Sequence, residues 1–461
     1  MKTSKNTELK TRLQQIFYIA LPLIIQGLVF QLQSLTDKAF LGHLDTKYVS
    51  AAGAAQMPYV ATVDSVMAIG MGLIIIVAKL YGAGEQFKIQ KYVESTAFYH
   101  TLLGTVLFLI WQFGAESILT FFKVDQAIIE YSLQYVRICT VYLIFIGIDC
   151  ALQGMLQGMG QTKPIMYAGI IKVIFNIIIS WILIFGKFGC PALNVAGAAI
   201  GTLAANLLSF VFILFYCMVL KREQFRLHAF DRGWLDFVPY RQVIALGVPV
   251  GLEFLLWHFS NLILIRFING FSYQDMAIYS LTFGFQCIIF VIFSGTSKAT
   301  LTLIGQNIGA GHSENADQFF YTTIILNFLI VAAAAALFFS VPGQLLRIFS
   351  NDTAMITQAV PYLGMIGVIM FPQSMNVICG NAIRAHDDTR WMLLSQVLGS
   401  TLVISISWFM VDRLHMGMMA IYITLFMDET IRGGINFLYY KKRYGNEKSA
   451  KIVEKPAGSL Q

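Results

Sequence analysis

The chain has 461 residues, of which 57 % are hydrophobic and only 12 % are charged. A soluble domain carries about 25 % charged residues, so this composition excludes an ordinary water-soluble protein. The formal net charge of +7 does not indicate a nucleic-acid-binding protein, because the basic residues lie mainly between apolar segments. The six cysteines are scattered through those segments, so neither a disulfide framework nor a cysteine metal site is expected.

About a dozen apolar stretches follow one another along the chain, each long enough to cross roughly 30 Å of hydrocarbon. Long runs such as YAGIIKVIFNIIISWILIF are typical of transmembrane helices and not of the alternating segments of a β-barrel. We expect no cleavable signal peptide, because MKTSKNTELKTRLQQ has no short apolar core. The predicted spans are 16–41, 52–79, 92–115, 128–158, 164–187, 193–220, 241–268, 275–305, 318–341, 355–383, 391–411 and 416–440.

The distribution of basic residues predicts the orientation of the spans. With the N-terminus in the cytoplasm, 21 of the 32 lysines and arginines fall in inner segments and five in outer segments. Basic loops stay on the cytoplasmic side of a membrane. We therefore expect both termini to be cytoplasmic, and the positive charge requires no nucleic-acid partner.

Rare residue types recur at a constant offset of 227 residues, which indicates a duplicated chain. The matching pairs include Pro22 with Pro249, Gly82-Ala83-Gly84 with Gly309-Ala310-Gly311, and Ser180-Trp181 with Ser407-Trp408. Because each half has an even number of spans, both halves enter the membrane in the same direction. Their pseudo-twofold axis is therefore expected to lie along the membrane normal.

The predicted fold class is an all-α polytopic membrane protein, with twelve transmembrane helices arranged as two six-helix lobes. The predicted parts are a cytoplasmic tail (1–15), an N-lobe (16–220), a cytoplasmic linker (221–240), a C-lobe (241–440) and a basic cytoplasmic tail (441–461).

Several motifs cover both halves: SLTDKAFLGHLD, LQGMLQGMGQTKP, NVAGAAIGT and LIGQNIGAG. As an ordered set they resemble the multidrug and toxic compound extrusion (MATE) family, and the pattern is closest to bacterial NorM/DinF-like exporters. The resemblance implies a bacterial plasma-membrane antiporter that exports small organic, cationic compounds in exchange for H⁺ or Na⁺ by alternating access. We accordingly expect a monomer with no enzymatic activity and no cofactor beyond the coupling ion.

Ionisable residues inside a membrane are functional candidates by default, because a charge at the bilayer centre costs about 2.5–3.5 kcal/mol on insertion scales. Asp37 lies in the outer half of the first span, where Asn176, Ser180 and Thr202 could converge with it. A carboxylate with amide and hydroxyl oxygens suits a hard cation, so Asp37, Asn176 and Thr202 form a candidate Na⁺ site. The same carboxylate could instead exchange protons. The resemblance implies ion-coupling roles for Asp37 and Asn176, whereas Ser180 stands where some relatives carry a second aspartate.

Glu253 lies near the midplane of span seven, and the 227-residue offset places Gln26 at the equivalent point of the first half. This difference in charge indicates that the two lobes have separate tasks, and we predict that Glu253 couples ions or binds cargo. In the NorM branch of the family that this chain resembles, such an acid is paired with an aspartate of span ten. This chain has Gln373 at that position. Gln26, Trp257 and Gln373 are the candidate cavity residues.

Pro22 and Pro249 interrupt the backbone hydrogen bonding of spans one and seven. They are candidate hinges for alternating access, although a kink that only shapes packing would give the same pattern. Asp428 and Arg432 are four residues apart, which predicts an ion pair on one helix face.

Several points stay open at this level. The sequence does not assign Asp64, Asp149 or Asp428 to a cavity, nor choose between H⁺ and Na⁺. A flippase for lipid-linked saccharides or a dedicated metabolite exporter is the main alternative. HDDTR (386–390) could resemble half of a metal–diphosphate site, but no second aspartate-rich motif accompanies it. The sequence contains no nucleotide-binding glycine loop, so it does not indicate an ATP-driven pump.

Overall fold

The computed structural model describes residues 2–42, 44–220, 232–349 and 352–445, which form fourteen α-helices and no strand. The helices are α1 (Lys2–Gly42), α2 (Thr46–Gly82), α3 (Gln86–Phe121), α4 (Ile129–Cys139), α5 (Ile146–Gly158), α6 (Lys163–Phe185), α7 (Asn194–Phe215), α8 (Phe237–Ile268), α9 (Tyr273–Gly309), α10 (Ser313–Ser340), α11 (Pro342–Arg347), α12 (Thr353–Ala385), α13 (Thr389–Trp408) and α14 (Met419–Arg443). The predicted all-α fold class is confirmed.

Short polar side chains and glycines lie at several helix ends. The backbone N–H and C=O groups there have no partner within the helix, so these residues supply or permit one. Asp45 caps α2, and Asp352 caps α12 by accepting hydrogen bonds from two backbone N–H groups. Ser272 and Asp275 form a reciprocal capping box at the start of α9. Gly186 ends α6 in the left-handed conformation, with φ of 66°.

Ten described helices are long and apolar enough to cross a membrane, and one bent pair of helical segments makes an eleventh span. The bent pair joins Ile129–Ile144 to Ile146–Gly158 at an angle of 56°, so span four, expected to be continuous, is broken. Helix α14 corresponds to the twelfth predicted span but carries three charged side chains near its middle. The chain is a polytopic membrane protein.

The break in span four has local causes on both of its sides. The Tyr142 hydroxyl, in the 3₁₀ segment before the break, donates a hydrogen bond to the buried carboxylate of Asp149 after it. Beyond the break, Gly147 lets α5 approach α3 closely, because a Cβ atom there would lie 2.0 Å from the backbone nitrogen of Thr101. Only glycine permits this approach without displacing backbone.

Contacts divide the chain into two compact units whose boundaries fall inside α1 and α8. The continuous unit is Ile25–Phe254, and the split unit combines Met1–Ile24 with Leu255–Gln461. The predicted lobes, 16–220 and 241–440, place the division in the linker instead. Each leading helix therefore has its first part in one unit and its remainder in the other.

Each unit has its own apolar core. In the continuous unit, Leu119, Leu143 and Ile184 are fully buried together. In the split unit, Phe293 and Tyr422 are fully buried in a second cluster. Because each core lies within one unit, each unit is compact by itself.

The end of the predicted linker docks on α3 within the continuous unit. Lys91 forms an ion pair with Asp236 at 2.8 Å, and its ammonium group lowers the pKa of that carboxyl below its ordinary value. Tyr99 donates a hydrogen bond to the carbonyl of Leu235. Residues 221–231 of the linker and 446–461 of the basic tail lie outside the described residues.

The close approach at Gly147 gives a stability prediction. Gly147→Ala should destabilise the protein by about 1–3 kcal/mol, because the added methyl overpacks against the backbone of α3. Gly114→Ala is the matched control: its Cβ would meet nothing within 4 Å, so the loss of chain entropy favours alanine by about 0.5–1 kcal/mol. The measurement is the fraction of detergent-solubilised protein that stays monodisperse after heating. Equal melting of the two variants would contradict the packing account.

Candidate functional site

Two glycines bring α6 and α7 of the continuous unit into close contact. A Cβ atom on Gly201 would lie 2.1 Å from the Ser180 hydroxyl oxygen, and one on Gly197 would lie 2.7 Å from the carbonyl carbon of Leu183. Two small residues four positions apart are a common solution for helix packing in membranes, where backbones must approach closely. The motif NVAGAAIGT therefore acts first as a packing surface.

This contact creates a small polar group, the Asn176 cluster, formed by Asn176, Ser180 and Thr202. The Asn176 side-chain amide nitrogen lies 3.3 Å from the Thr202 hydroxyl oxygen and 3.5 Å from the Ser180 hydroxyl oxygen. Asn176 and Ser180 are fully buried. Within the described residues, the Asn176 amide oxygen is buried without a hydrogen-bond partner. The cluster thus combines amide and hydroxyl oxygens, with one amide oxygen available to a ligand.

Asp37 was expected to join this cluster, and its backbone lies in α1. Its side chain lies outside the described residues, so its contact with the cluster stays a prediction. Nearby parts of α1 do pack on α6: Gln26 lies against Gly169, where a Cβ atom would be 2.6 Å from the Gln26 side chain. The Lys172 ammonium lies 5.1 Å from the centre of the Phe30 ring.

The other acids of the continuous unit lie in separate environments. Asp64 is half-buried in α2, and Asp149 is tied to Tyr142 at the break in span four. Glu253 is 8 % exposed and lies just before the end of this unit. Trp257 begins the next turn of α8, belongs to the split unit and is 42 % exposed. The roles predicted for Glu253 and Trp257 stay predictions.

The split unit contains a larger polar group, the Glu429 network, that links α9, α12, α13 and α14. Asn376 donates a hydrogen bond of 2.8 Å to one Glu429 carboxylate oxygen, and Gln373 donates one of 3.4 Å to the other. Gln286 in turn donates to the Gln373 amide oxygen at 3.0 Å. Gln373 is therefore engaged with an acid of α14.

Arg432 is the only basic residue lining this part of the described structure, and its donors are directed at named acceptors. Its Nε and one terminal nitrogen bind the two oxygens of Asp428 at 2.8 and 2.6 Å, and its other terminal nitrogen binds Gln396 at 2.8 Å. The distance from Arg432 to Glu429 is longer, at 3.6 Å. The predicted pair of Asp428 and Arg432 is confirmed, as a two-point charge-assisted contact.

Asn436 extends the network toward α13. Its side chain is fully buried and donates to the Asn376 amide oxygen at 2.8 Å and to the Ser395 hydroxyl at 3.1 Å. Its amide oxygen accepts a hydrogen bond of 2.9 Å from the Trp391 indole. Asn436 thereby fixes Asn376, which in turn donates to Glu429.

The Glu429 network lines a small cavity in the split unit with a water-accessible volume of about 50 Å³. This is room for a few water molecules and not for a drug-sized compound. The lining residues are Trp257, Ser260, Asn261, Leu264, Tyr279, Phe283, Gln286, Gln373, Gln396, Gly399, Ser400, Val403, Leu425, Asp428, Glu429 and Arg432. In the described residues, no group of three His, Cys, Asp or Glu side chains could hold a metal ion.

Of the amides in this network, Gln373 was predicted as a cavity residue, whereas Gln286, Asn376, Gln396 and Asn436 were not, although the sequence contains a signal for Asn436. Asp428, Arg432 and Asn436 recur every four residues in α14, which places them on one helix face. A polar stripe in a membrane helix must face protein or water. The partners on α12 and α13 carry no comparable pattern, because isolated amides do not identify their neighbours.

Asn436 should be a stability determinant. Asn436→Leu should cost about 1–3 kcal/mol for each buried partner left unsatisfied, and three partners lose a bond. Thr401→Ala is the control, since its exposed hydroxyl bonds only to its own helix at Val397. Thermal unfolding in detergent measures both, and an unchanged melting temperature for Asn436→Leu would contradict the proposed role of the network.

Comparisons with known proteins agree with the repeat. The MatE family model matches residues 22–182 and 249–409, so both the starts and the ends of the two matches are 227 residues apart. This confirms the duplication and its predicted offset.

Individual relatives match along nearly the whole chain. The chain is 23 % identical over 436 residues to the probable multidrug resistance protein NorM of Thermotoga maritima, covering 93 % of this chain and 92 % of that protein. It is 22 % identical to the multidrug resistance protein PmpM of Pseudomonas aeruginosa, covering 84 % of this chain and 81 % of that protein. A multidrug resistance MATE family transporter solved in an outward-facing conformation superposes with a TM-score of 0.85, at 17 % identity, over 93 % of this chain and 95 % of that one. The paired family matches cover well over half of the sequence, and the chain belongs to the MatE family of membrane transporters.

Proposed function

We propose that this protein is a secondary active antiporter for multidrug efflux, which exports small organic cations in exchange for H⁺ or Na⁺ by alternating access. The observation that carries the proposal is the family match in both halves. Relatives similar over most of their length are named multidrug resistance proteins. The proposal places the protein in a bacterial plasma membrane as a monomer with cytoplasmic termini.

The coupling site of this proposal is Asp37 together with the Asn176 cluster. Support comes from the buried hydroxyl and amide oxygens of that cluster, one of which has no hydrogen-bond partner among the described residues. Hard monovalent cations bind oxygen ligands, and a carboxylate is needed to balance their charge. Asp37 would supply that carboxylate and release the cation when the unit changes conformation.

Pro22 and Pro249 are proposed as the hinges of alternating access. The unit boundaries support this role, since they fall at residues 24 and 254, two and five positions after these prolines. A proline removes one backbone hydrogen bond and favours bending at its own turn. A bend placed where the chain passes from one unit to the other allows motion without unfolding either core.

A cationic cargo is proposed because a buried carboxylate, Glu429, and the aromatic side chains of Trp257 and Tyr279 line the same cavity of the split unit. Aromatic faces attract cations. The cavity itself is too small for such a cargo, which would have to be held where the proposed alternating motion opens more space. The alternative cargo, a lipid-linked saccharide or a single metabolite, would give a protein that transports no dye.

The first functional test is dye export by cells or inverted vesicles, driven separately by a pH gradient and by a Na⁺ gradient. Asp37→Asn should reduce transport at least about tenfold under the gradient that drives the parent, because the neutral amide cannot balance a cation. The matched control is Asp45→Asn: it makes the same chemical change eight residues away, at a helix cap where asparagine serves equally well. Asp45→Asn should transport like the parent.

Each outcome of this test bears on a different part of the proposal. Undiminished transport by Asp37→Asn would remove Asp37 from the coupling site. Dye export that responds to neither gradient would overturn the antiporter proposal. No dye export by the parent would favour the flippase or dedicated-exporter alternative.

The hinge proposal has its own test. Pro22→Ala or Pro249→Ala restores a backbone hydrogen bond and should stiffen the helix, so transport should slow severalfold while the melting temperature stays equal or rises. Pro58→Ala, inside α2 and away from both unit boundaries, is the control. Initial rates of dye export measure the effect, and parental rates in both hinge variants would assign the prolines to packing alone.

A further inference from the structure

A patch of positive charge lies in the split unit where α13 begins and α14 ends. Its four members are exposed basic side chains: Arg390, Lys441, Lys442 and Arg443. The two helix ends are joined by the stacked rings of Trp391 and Tyr439, whose centres are 3.8 Å apart and whose planes are 7° from parallel. Because Arg390 is next to Trp391 and Lys442 is less than one turn after Tyr439, the ring pair brings the charges of both helices together. We call this surface the basic patch.

Only part of this positive charge is balanced nearby. Asp388 accepts hydrogen bonds from two tyrosine hydroxyls and lies 3.7 Å from Arg443. The neighbouring Asp387 is exposed. Four positive charges and these two negative charges leave the patch with a net charge of +2. The other three members of the patch form no ion pair with any residue that the structure describes.

Exposed apolar rows run from the basic patch along both helices. On α13, Leu394 is 64 % exposed and Leu398 continues the row. These leucines lie four and eight positions after Arg390, which places all three on one helix face. On α14, Leu438 is 65 % exposed and lies four positions before Lys442. Long basic side chains at the end of a membrane helix reach the level of the lipid headgroups, so each row runs from hydrocarbon to a positive charge.

The first half of the chain lacks most of this patch. The offset of 227 places Leu214, Phe215 and Tyr216 at the positions of the three members on α14, and only the member on α13 keeps a basic equivalent, Lys163. The next basic residue of the first half is Lys221, which lies outside the described residues. Membrane topology accounts for basic loops in both halves. It does not account for four basic residues beside a stacked ring pair in one half alone.

We propose that the basic patch and its apolar rows bind an anionic phospholipid, with the phosphate at the basic side chains and the acyl chains along the rows. Clusters of about four to eight basic residues next to a membrane helix attract acidic headgroups. An arginine can also bind a phosphate through two parallel hydrogen bonds. A zwitterionic headgroup carries no net charge to complement the patch. The inference concerns a partner of the protein and does not depend on the proposed antiport.

The basic patch is connected to the Glu429 network through the ring pair. Trp391, stacked on Tyr439, donates a hydrogen bond of 2.9 Å to Asn436. Asn436 in turn donates to Asn376, which donates to Glu429. A lipid that holds the ends of α13 and α14 together favours the arrangement in which these contacts form. Because a ligand of the folded state stabilises that state, bound lipid should raise the melting temperature.

The experiment uses the purified full chain in detergent, with phosphatidylglycerol and phosphatidylcholine of identical acyl chains as the probes. Native mass spectrometry gives the apparent affinity for each lipid, and thermal unfolding measures the stabilisation. We expect phosphatidylglycerol to bind more tightly than phosphatidylcholine and to raise the melting temperature further. Added salt should reduce this difference, because it screens the attraction between exposed charges.

Neutral substitutions test the location of the site. The test variant replaces three members of the patch: Arg390→Gln, Lys441→Gln and Lys442→Gln. Each basic residue contributes about fivefold to the attraction of an acidic headgroup region, so this variant should bind phosphatidylglycerol roughly a hundredfold more weakly. The matched control removes the same charge from exposed residues of three other segments: Lys10→Gln, Lys88→Gln and Arg241→Gln. The control should bind phosphatidylglycerol like the parent.

Three results would overturn the inference. One is an equal affinity of the parent for the two lipids, and another is an equal loss of binding in the test variant and the control, which would assign the effect to overall charge. The third comes from inorganic phosphate and glycerol 3-phosphate, added without lipid. If either raises the melting temperature of the parent as much as phosphatidylglycerol does, the patch binds a soluble anion and the lipid is the wrong occupant.

Discussion

The Arg432 guanidinium is buried, so it needs hydrogen-bond acceptors close by, and this requirement organises the polar core of the split unit. Two of its nitrogens bind Asp428 and a third binds Gln396 on the neighbouring helix. Breaking a buried pair of this kind costs about 3–5 kcal/mol, since it leaves a charge uncompensated. The pair holds the guanidinium in place on α14, and its hydrogen bond to Gln396 constrains the rotation of α14 relative to α13 and, with it, the direction in which Glu429 points. The amides of Gln373 and Asn376 complete an environment that the arginine has already oriented.

In the continuous unit, small residues rather than an arginine fix how two neighbouring helices pack. Gly197 and Gly201 let α7 press against α6 until the Ser180 hydroxyl lies at the backbone of its neighbour. Dispersion contacts are the main attraction between helices in lipid, so such close approach is what holds the pair together. The Asn176 cluster follows from this packing, because Thr202 is the residue next to Gly201 and is brought close to α6 with it. The two units thus build polar groups by different physical means.

Hydropathy and spacing predict much of this structure from sequence, and side-chain direction limits the rest. The spans, the duplication at 227 residues and the pairing of Asp428 with Arg432 all depend on local pattern or fixed spacing, which a sequence displays directly. The sequence also named Asn176, Ser180 and Thr202 as converging with Asp37; the Asn176 amide nitrogen lies within 3.5 Å of both hydroxyl oxygens, and the part of Asp37 stays a prediction. It did not show that Gln373 faces Glu429, because that contact depends on the rotation of two helices about their axes. Nor did it anticipate the break at span four, which depends on Tyr142 reaching Asp149.

The number of cations exchanged determines whether the membrane potential can drive the proposed export. Exchange of one monovalent cation for one monovalent cationic cargo moves no net charge, so the membrane potential contributes nothing to it. With a second cation entering, one net charge crosses inward, and the potential supplies about 2.3 kcal/mol per 100 mV. That energy corresponds to a concentration ratio of roughly fiftyfold, since 1.4 kcal/mol is a factor of ten.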